Sequence, residues 1–327
     1  MTAIQTDGLT KRFGSGESGV LALNDLDLTV EEGEVFGFLG PNGAGKSTTI
    51  NILLNFIDPT DGNATVLGHD VRSESKQIRQ RTGVLPEGAE VFERLTPREH
   101  IVWVEDAKGI QADTDAILET VGIADAADRK AGGFSKGMQQ RLGLGMALAG
   151  DPDLLILDEP SSGLDPTGMK EMRQIIREQA ESGTSVFFSS HILSEVEAVC
   201  DRVAILSGGE LAIQDTIENL RDQNEGVCTI DLEVESVPDS LGLGDVAGVK
   251  NIAVNDDEIT VTCESPTVKV DVVRTVDERT AVTDIVSEDT SLETLFERYT
   301  GASAETADGG SSADGDGGEA VEAEVPA

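Results

Sequence analysis

No run in this chain approaches the roughly 18 uninterrupted apolar residues that a membrane-crossing helix needs. The opening residues, MTAIQTDGLTKRF, lack the charged-then-apolar order of a secretion signal. Both absences lead to the expectation of a cytoplasmic chain. Cysteine is scarce: Cys200, Cys228 and Cys263 are too scattered for zinc-ligand spacing and odd in number, which suits reduced thiols. They are given no role. Aromatic residues make up only 3% of the chain, and bases are outnumbered, with 24 Lys and Arg against 62 Asp and Glu for a net charge of -38. A surface this negative is a poor ligand for nucleic acid or anionic lipid, so no nucleic-acid partner is expected. The acids run through the whole sequence, and their self-repulsion destabilises a compact state until molar salt shortens the screening length to about 3 Å. The composition therefore fits a salt-adapted protein of haloarchaeal type. Its melting temperature is expected to rise between about 0.1 M and about 2 M KCl, and calorimetry showing no change would contradict that reading. What remains is ordinary for a globular protein: 327 residues at 38% hydrophobic content can bury a sizeable core and form two domains.

IQTDGLTKRF and VLALNDLDLTV alternate apolar and polar residues as strands do, and EVFGFL is a short apolar run. TTINILLNFI follows with helical spacing, so FLGPNGAGKSTTINIL predicts a strand, a glycine loop and a helix. RTGVLPE predicts a strand ending in a loop, and a helical insert is expected over about residues 90–150. DPDLLILDEP and TSVFFSSH carry the bounded apolar runs of buried parallel strands. Between them GMKEMRQIIREQAESG places Met169, Met172, Ile175 and Ile176 on one side of a helix, with Gly183 as its stop. Strands alternating with helices imply a parallel sheet covered on both faces, the α/β class. Past about residue 220 the texture changes. VCTIDLEVESV, VKNIAVNDDEITVTCES and VVRTVDERTAVTDIVSE alternate, with PTVKVDVVRTVDE helical between them. The expected plan is a first domain over 1–220, a small α+β domain over 226–300, and a tail over 301–327. That tail has seven acids and no base, cannot offset the entropy of ordering, and is predicted to be disordered.

Gly40, Gly45, Lys46 and Ser47 fit the pattern G-x-x-x-x-G-K-[ST]. With a strand leading in and a helix leading out, the loop Gly40, Pro41, Asn42, Gly43, Ala44 and Gly45 brings backbone amides to a helix N-terminus, where they can cradle phosphate oxygens. Lys46 would reach the β- and γ-phosphates of a nucleotide, Ser47 would ligate Mg²⁺, and Thr48 would bond a phosphate nearer the ribose. Such a loop alone fits kinases, GTPases and many ATPases. LLILDEP narrows the choice, because four apolar residues bury a strand and deliver Asp158 and Glu159 at its carboxyl end, where open α/β sheets bind ligands. Asp158 can hold Mg²⁺ through water, and Glu159 is placed to orient or deprotonate an attacking water.

GGFSKGMQQRLGLGMAL resembles the signature segment of ATP-binding-cassette ATPases, and SSGLDP and SSHILSEVEAVCDRV resemble the segments that follow it. The resemblance runs over residues 3–218 and keeps the family's order of elements. It implies a P-loop NTPase fold: a mixed sheet with an antiparallel β subdomain and a helical subdomain. It also implies that two copies of the chain pair head to tail, with nucleotide on one phosphate loop closed by Ser135 and the Gly137 amide of the other. In the same resemblance Asp165 couples the two sites, although it also reads as a helix cap. His191 contacts the γ-phosphate. Phe13 matches the aromatic that stacks on adenine, its other reading being a core phenylalanine.

Some positions depart from the family pattern. Glu87 stands where glutamine is usual; a carboxylate can still bind Mg²⁺ but cannot donate a hydrogen bond when ionised. Phe134, Lys136 and Met138 replace Leu, Gly and Gln in the signature. LPE paired with SKGM resembles export-type cassettes that work with a separate permease, and SLETLFERYTG over 291–301 resembles the close of such cassettes. The resemblance thus implies an ATPase subunit peripheral to a membrane permease, whose coupling helices would dock around EVFERLTPREHIVW; Trp103 in that stretch reads first as core. A soluble cassette ATPase of translation, DNA repair or cluster assembly is the alternative. A phosphate-loop kinase would leave FSKGM and His191 unexplained.

Overall fold

The computed structural model describes residues 1–14, 19–88, 90–222, 228–238, 241–255, 257–265, 267–288, 296 and 300. The chain opens with β1 (Thr2–Phe13), β2 (Val20–Leu26), β3 (Thr29–Glu31) and β4 (Val35–Leu39), followed by α1 (Lys46–Leu53). Next come β5 (Asp61–Val66), β6 (His69–Asp70), α2 (Ser75–Arg81) and β7 (Thr82–Leu85). The helical insert contains α3 (Pro97–Lys108), α4 (Thr114–Thr120) and α5 (Lys136–Leu148). It leads into β8 (Leu154–Asp158), α6 (Pro166–Glu181), β9 (Ser185–Ser190) and α7 (Leu193–Val199). β10 (Arg202–Ser207), β11 (Glu210–Thr216) and α8 (Ile217–Asp222) complete this part.

A six-stranded sheet in the order β11-β10-β4-β9-β8-β7 forms the centre, parallel except for β11, which runs antiparallel at one edge. Every residue of β4, β8 and β9 is buried, because both faces of these strands are covered. The alternation divides them between two cores. Val35, Leu39, Leu155, Leu157, Val186 and Phe188 pack toward the helical insert, α6 and α7. Phe36, Phe38, Leu154, Ile156 and Phe187 pack with α1 and with the antiparallel sheet β2-β1-β5-β6, to which β3 adds through β1. At about 25 cal/mol per Å² of apolar surface removed from water, burial of this kind dominates the stability of the layer.

Local chemistry sets the helix starts. Thr96 and Glu99 form a reciprocal capping box around Pro97 at the head of α3, and Asp113 caps α4. Ser135 caps α5 through a bond from the Met138 N–H, and Asp165 caps α6 by accepting from the Gly168 N–H at 2.8 Å.

The remaining elements are β12 (Cys228–Val234), β13 (Val249–Asn255), β14 (Glu258–Cys263), α9 (Val268–Asp277) and β15 (Val282–Glu288). They form an antiparallel sheet in the order β13-β14-β12-β15 with an apolar cluster of its own, in which Val272 and Val276 of α9 meet Ile230, Leu232, Ile259 and Val261. Phe296 packs instead against the core of the six-stranded sheet. The predicted tail over 301–327, and all of 291–301 except Phe296 and Thr300, lie outside the described residues.

Some expectations need correction. VLALNDLDLTV is not one strand but two, β2 and β3, separated by Asp27 and Leu28. In VVRTVDERTAVTDIVSE only the second half is a strand. Residues through Asp277 belong to α9, the helix expected over PTVKVDVVRTVDE, in which Val272 and Val276 are four apart and bury together. Trp103 is not core. His100, Ile101 and Val104 occupy the inner side of α3, which leaves Trp103 49% exposed. Phe13 at the end of β1 is 44% exposed, so it is not a core phenylalanine either.

Candidate active site

The loop between β4 and α1 is shaped by its glycines. Gly43 and Gly45 sit at φ +82 and +113, a region costly for residues with a side chain, and a Cβ on Gly45 would lie 2.7 Å from the Ala22 carbonyl oxygen. Gly45 is the N-cap of α1 and supplies no capping side chain, and the first turn of that helix has no acid. The leading N–H groups of α1 and the positive end of its dipole are therefore available to an anion. Ser47 is exposed and Thr48 half-buried at this end. Lys46, only 7% exposed, folds back over the loop and donates to the Gly40 carbonyl at 2.6 Å, while its Nζ lies 3.9 Å from Glu159 Oε1.

Asp158 and Glu159 arrive from β8, the strand two places away in the sheet, and are 6% and 7% exposed. His191, just past β9, meets Glu159: Nδ1 and Oε1 are 2.8 Å apart. A carboxylate only accepts, so Nδ1 carries the hydrogen in this pair. A cavity of about 360 Å³ brings together Lys46, Ser47, Glu87, Asp158 and Glu159 with the loop glycines and Ala22. Ala22 was not singled out in the sequence, because nothing about an alanine signals a site; it lies there because β2 runs past Gly45. Ser135, Gly137, Asp165 and Phe13 are not among the cavity's lining residues. Ser135 and Gly137 stand at the head of α5 and Asp165 at the head of α6, while Lys11 Nζ lies over the Phe13 ring at 5.0 Å from its centroid.

The site holds three acids around one cation. Burial pulls Lys46 below its ordinary pKa, against the opposing fields of Glu159, Asp158 and Glu87. Burial also pushes Asp158 above the usual carboxylate value; Glu87 and Glu159 add to that shift, whereas Ser189 and Lys46 oppose it. Asp158 Oδ1 is buried with no hydrogen-bond partner. An orphaned, buried carboxylate oxygen beside a hydroxyl and a further carboxylate is a hard-donor set suited to Mg²⁺. Among the described residues no group of three or more His, Cys, Asp or Glu is arranged to hold a metal ion.

The raised pKa has a sign that experiment can check. An acid that binds its proton more tightly when folded loses stability as pH rises from its unfolded value through its folded one. Asp158→Asn is therefore expected to raise the melting temperature of the nucleotide-free protein at pH 8, by about 2–4 °C for about 1 kcal/mol. The gain should fade as pH falls below the ordinary carboxylate value, and Mg²⁺-dependent hydrolysis should drop. Thermal unfolding scans that show destabilisation at pH 8 would contradict this account of the buried acid.

Residues 23–162 match the ABC transporter family. The bacitracin transport ATP-binding protein BcrA of Bacillus licheniformis is 42% identical over 226 residues, which is 68% of this chain and 72% of that one. The daunorubicin/doxorubicin resistance ATP-binding protein DrrA of Streptomyces peucetius is 38% identical over 224 residues, 67% of each chain. The solved dimeric structure of a bacterial ABC transporter cassette superposes with a TM-score of 0.60 at 26% identity, covering 65% of this chain and 98% of the other. The chain belongs to the ATP-binding-cassette family and is an ATP-binding, ATP-hydrolysing subunit of an ABC transporter. The kinase reading is thereby set aside.

Proposed function

We propose that this subunit couples ATP-driven pairing of two copies to export through a separate membrane permease. The observation that carries the reading is the meeting of Lys46, Asp158, Glu159 and His191 at the carboxyl ends of β4, β8 and β9, against the uncapped head of α1. Lys46 leaves the Gly40 carbonyl for the β- and γ-phosphates of ATP, while Thr48 and the loop amides from Asn42 to Gly45 hold the remaining oxygens. Ser47 and Asp158, with Glu87 beside them, hold Mg²⁺, which neutralises phosphate charge when bound. Glu159 takes the proton of the attacking water, His191 keeps its carboxylate in place, and Phe13 stacks on adenine from the exposed end of β1.

Ser135 and the Gly137 amide, at the positive end of α5, close on the γ-phosphate held by a second copy, and Asp165 lies on the path between the two sites. Loss of the γ-phosphate removes the charge that both copies share, and they part. Support for a dimer comes from the dimeric cassette of similar fold. Residues 1–220 act as the motor and 226–300 as an accessory unit with its own sheet and apolar cluster.

Export is favoured by the named roles of the relatives in bacitracin transport and in daunorubicin/doxorubicin resistance. Among the described residues no helix is long and apolar enough to cross a membrane. On the proposed reading a separate permease supplies the pathway and this chain sits on its cytoplasmic side, in keeping with the transport roles named for the relatives. The permease docks at the insert, where Phe92, Val102 and Trp103 are 50%, 47% and 49% exposed and the Phe92 and Trp103 rings meet edge to face at 5.3 Å. A half-exposed aromatic pair of this kind suits an interface anchor. The full chain is expected to co-purify with a multispan protein from detergent-solubilised membranes. Phe92→Ser combined with Trp103→Ser should abolish co-purification without altering hydrolysis by the isolated chain. A purely soluble pool of the unaltered protein would rule the permease model out.

A further inference from the structure

Glu159 sits at φ +50, in the left-handed region where a side chain is held only under constraint. Such a conformation persists where its surroundings over-determine it. The Glu159 N–H donates to the Ser189 carbonyl of β9 at 3.0 Å, and its carbonyl accepts from the Ser162 N–H at 3.1 Å within the same turn. A further restraint comes from another layer. Gln140 of α5, 6% exposed, donates Nε2 to the Pro160 carbonyl at 2.8 Å and to the Glu159 carbonyl at 3.4 Å. Both partners are carbonyls, which fixes the amide orientation: only the nitrogen can face them.

The helix that carries Gln140 begins with Ser135 and Gly137. It is seated tightly on the sheet, since a Cβ on Gly83 of β7 would lie 2.0 Å from the Ala147 carbonyl oxygen. Its first turn also touches the segment after Glu159: a Cβ on Gly137 would lie 3.5 Å from Leu164 Cδ2, and one on Gly163 would lie 3.4 Å from Lys136 Cβ. A displacement of α5 therefore reaches the Glu159 backbone through a short, buried and directional link.

In the head-to-tail dimer proposed above, on which this inference rests, the two ends of that link serve different nucleotides. Ser135 and Gly137 close on the partner's, and Glu159 acts on its own. We propose that Gln140 is a positioning residue that carries the seating of α5 on the partner's nucleotide to the backbone of Glu159, so that each site sets the base of the other.

Steady-state ATP hydrolysis by the full chain tests this. The native protein is expected to show sigmoidal dependence on ATP. Gln140→Met is close in volume but has no donor; it should lower kcat by about tenfold or more, a loss in line with a base held off its line of attack. KM for ATP should stay within about twofold of native, and the dependence should become hyperbolic. Gln140→Glu, whose carboxylate repels both carbonyls, should lose more, and it serves as the test if the Met variant does not fold. A folded variant with native kcat, or one in which only KM rises, would reduce Gln140 to packing or to nucleotide binding. A hyperbolic native enzyme would overturn the cross-site link. Gel filtration of Glu159→Gln with ATP separates the two levels: a monomer there removes the dimer reading, whereas a dimer alongside normal turnover in Gln140→Met removes this inference alone.

Discussion

Glu159→Gln is expected to lower ATP turnover at least about a hundredfold and to leave the chain as an ATP-bound dimer. The magnitude follows from the usual contribution of a positioned general base, about 10²–10⁴. The amide keeps the shape of the side chain and can still pair with His191, but it cannot take a proton. Glu159 is only 7% exposed and already aligned by His191 at 2.8 Å, so little of its work can pass to solvent. Binding should survive, because the groups proposed to hold the phosphates, Lys46, Thr48 and the loop amides, are untouched. With hydrolysis blocked, the shared γ-phosphate charge stays in place and the two copies stay together. Turnover measured by phosphate release, with molar mass from light scattering in ATP, gives both readings. Turnover near the native rate would remove Glu159 as the base.

Lys46→Ala should weaken ATP binding by about a hundredfold or more, since it deletes a charge-assisted contact worth about 1.5–3 kcal/mol and leaves Glu159 and Asp158 without their facing cation. Phosphates would then enter a site of uncompensated negative charge. Lys46→Arg is not expected to restore binding, because Nζ sits 2.6 Å from the Gly40 carbonyl in a space cut for an ammonium, and a planar guanidinium is larger and differently shaped. Titration with a fluorescent ATP analogue measures both variants. Unaltered affinity in Lys46→Ala would be incompatible with a phosphate site at the head of α1.

The parts of this molecule that could be read from residue order share one property: their physics is local. Gly43 and Gly45 stand where the loop needs positive φ, and Ser135, Asp165 and Thr96 stand one residue before the helices they cap. The apolar runs of β4, β8 and β9 announce burial on both faces whatever lies beside them. The phosphate loop, the Asp158–Glu159 pair and the helical insert were legible on those grounds. The helix expected over PTVKVDVVRTVDE is α9, where Val272 and Val276, four apart, bury together.

Tertiary structure decided which distant groups meet. Glu159 and His191 are 32 positions apart in sequence and Gln140 and Glu159 19 apart, and nothing in either interval specifies a hydrogen bond. The sheet order β11-β10-β4-β9-β8-β7 does, by setting β9 between β4 and β8 so that His191 past β9 meets Glu159 past β8, while the ends of β4, β7 and β8 open onto one cavity. Which side of α3 faces water was settled in the same way, by the packing of Ile101 and Val104, and that left Trp103 at the surface. A chain encodes its turns, caps and buried runs through neighbours in sequence. Its site forms only when burial of those runs has fixed the neighbours in space, because hydrogen bonds and charges act over a few ångströms and must wait for packing to supply the distance.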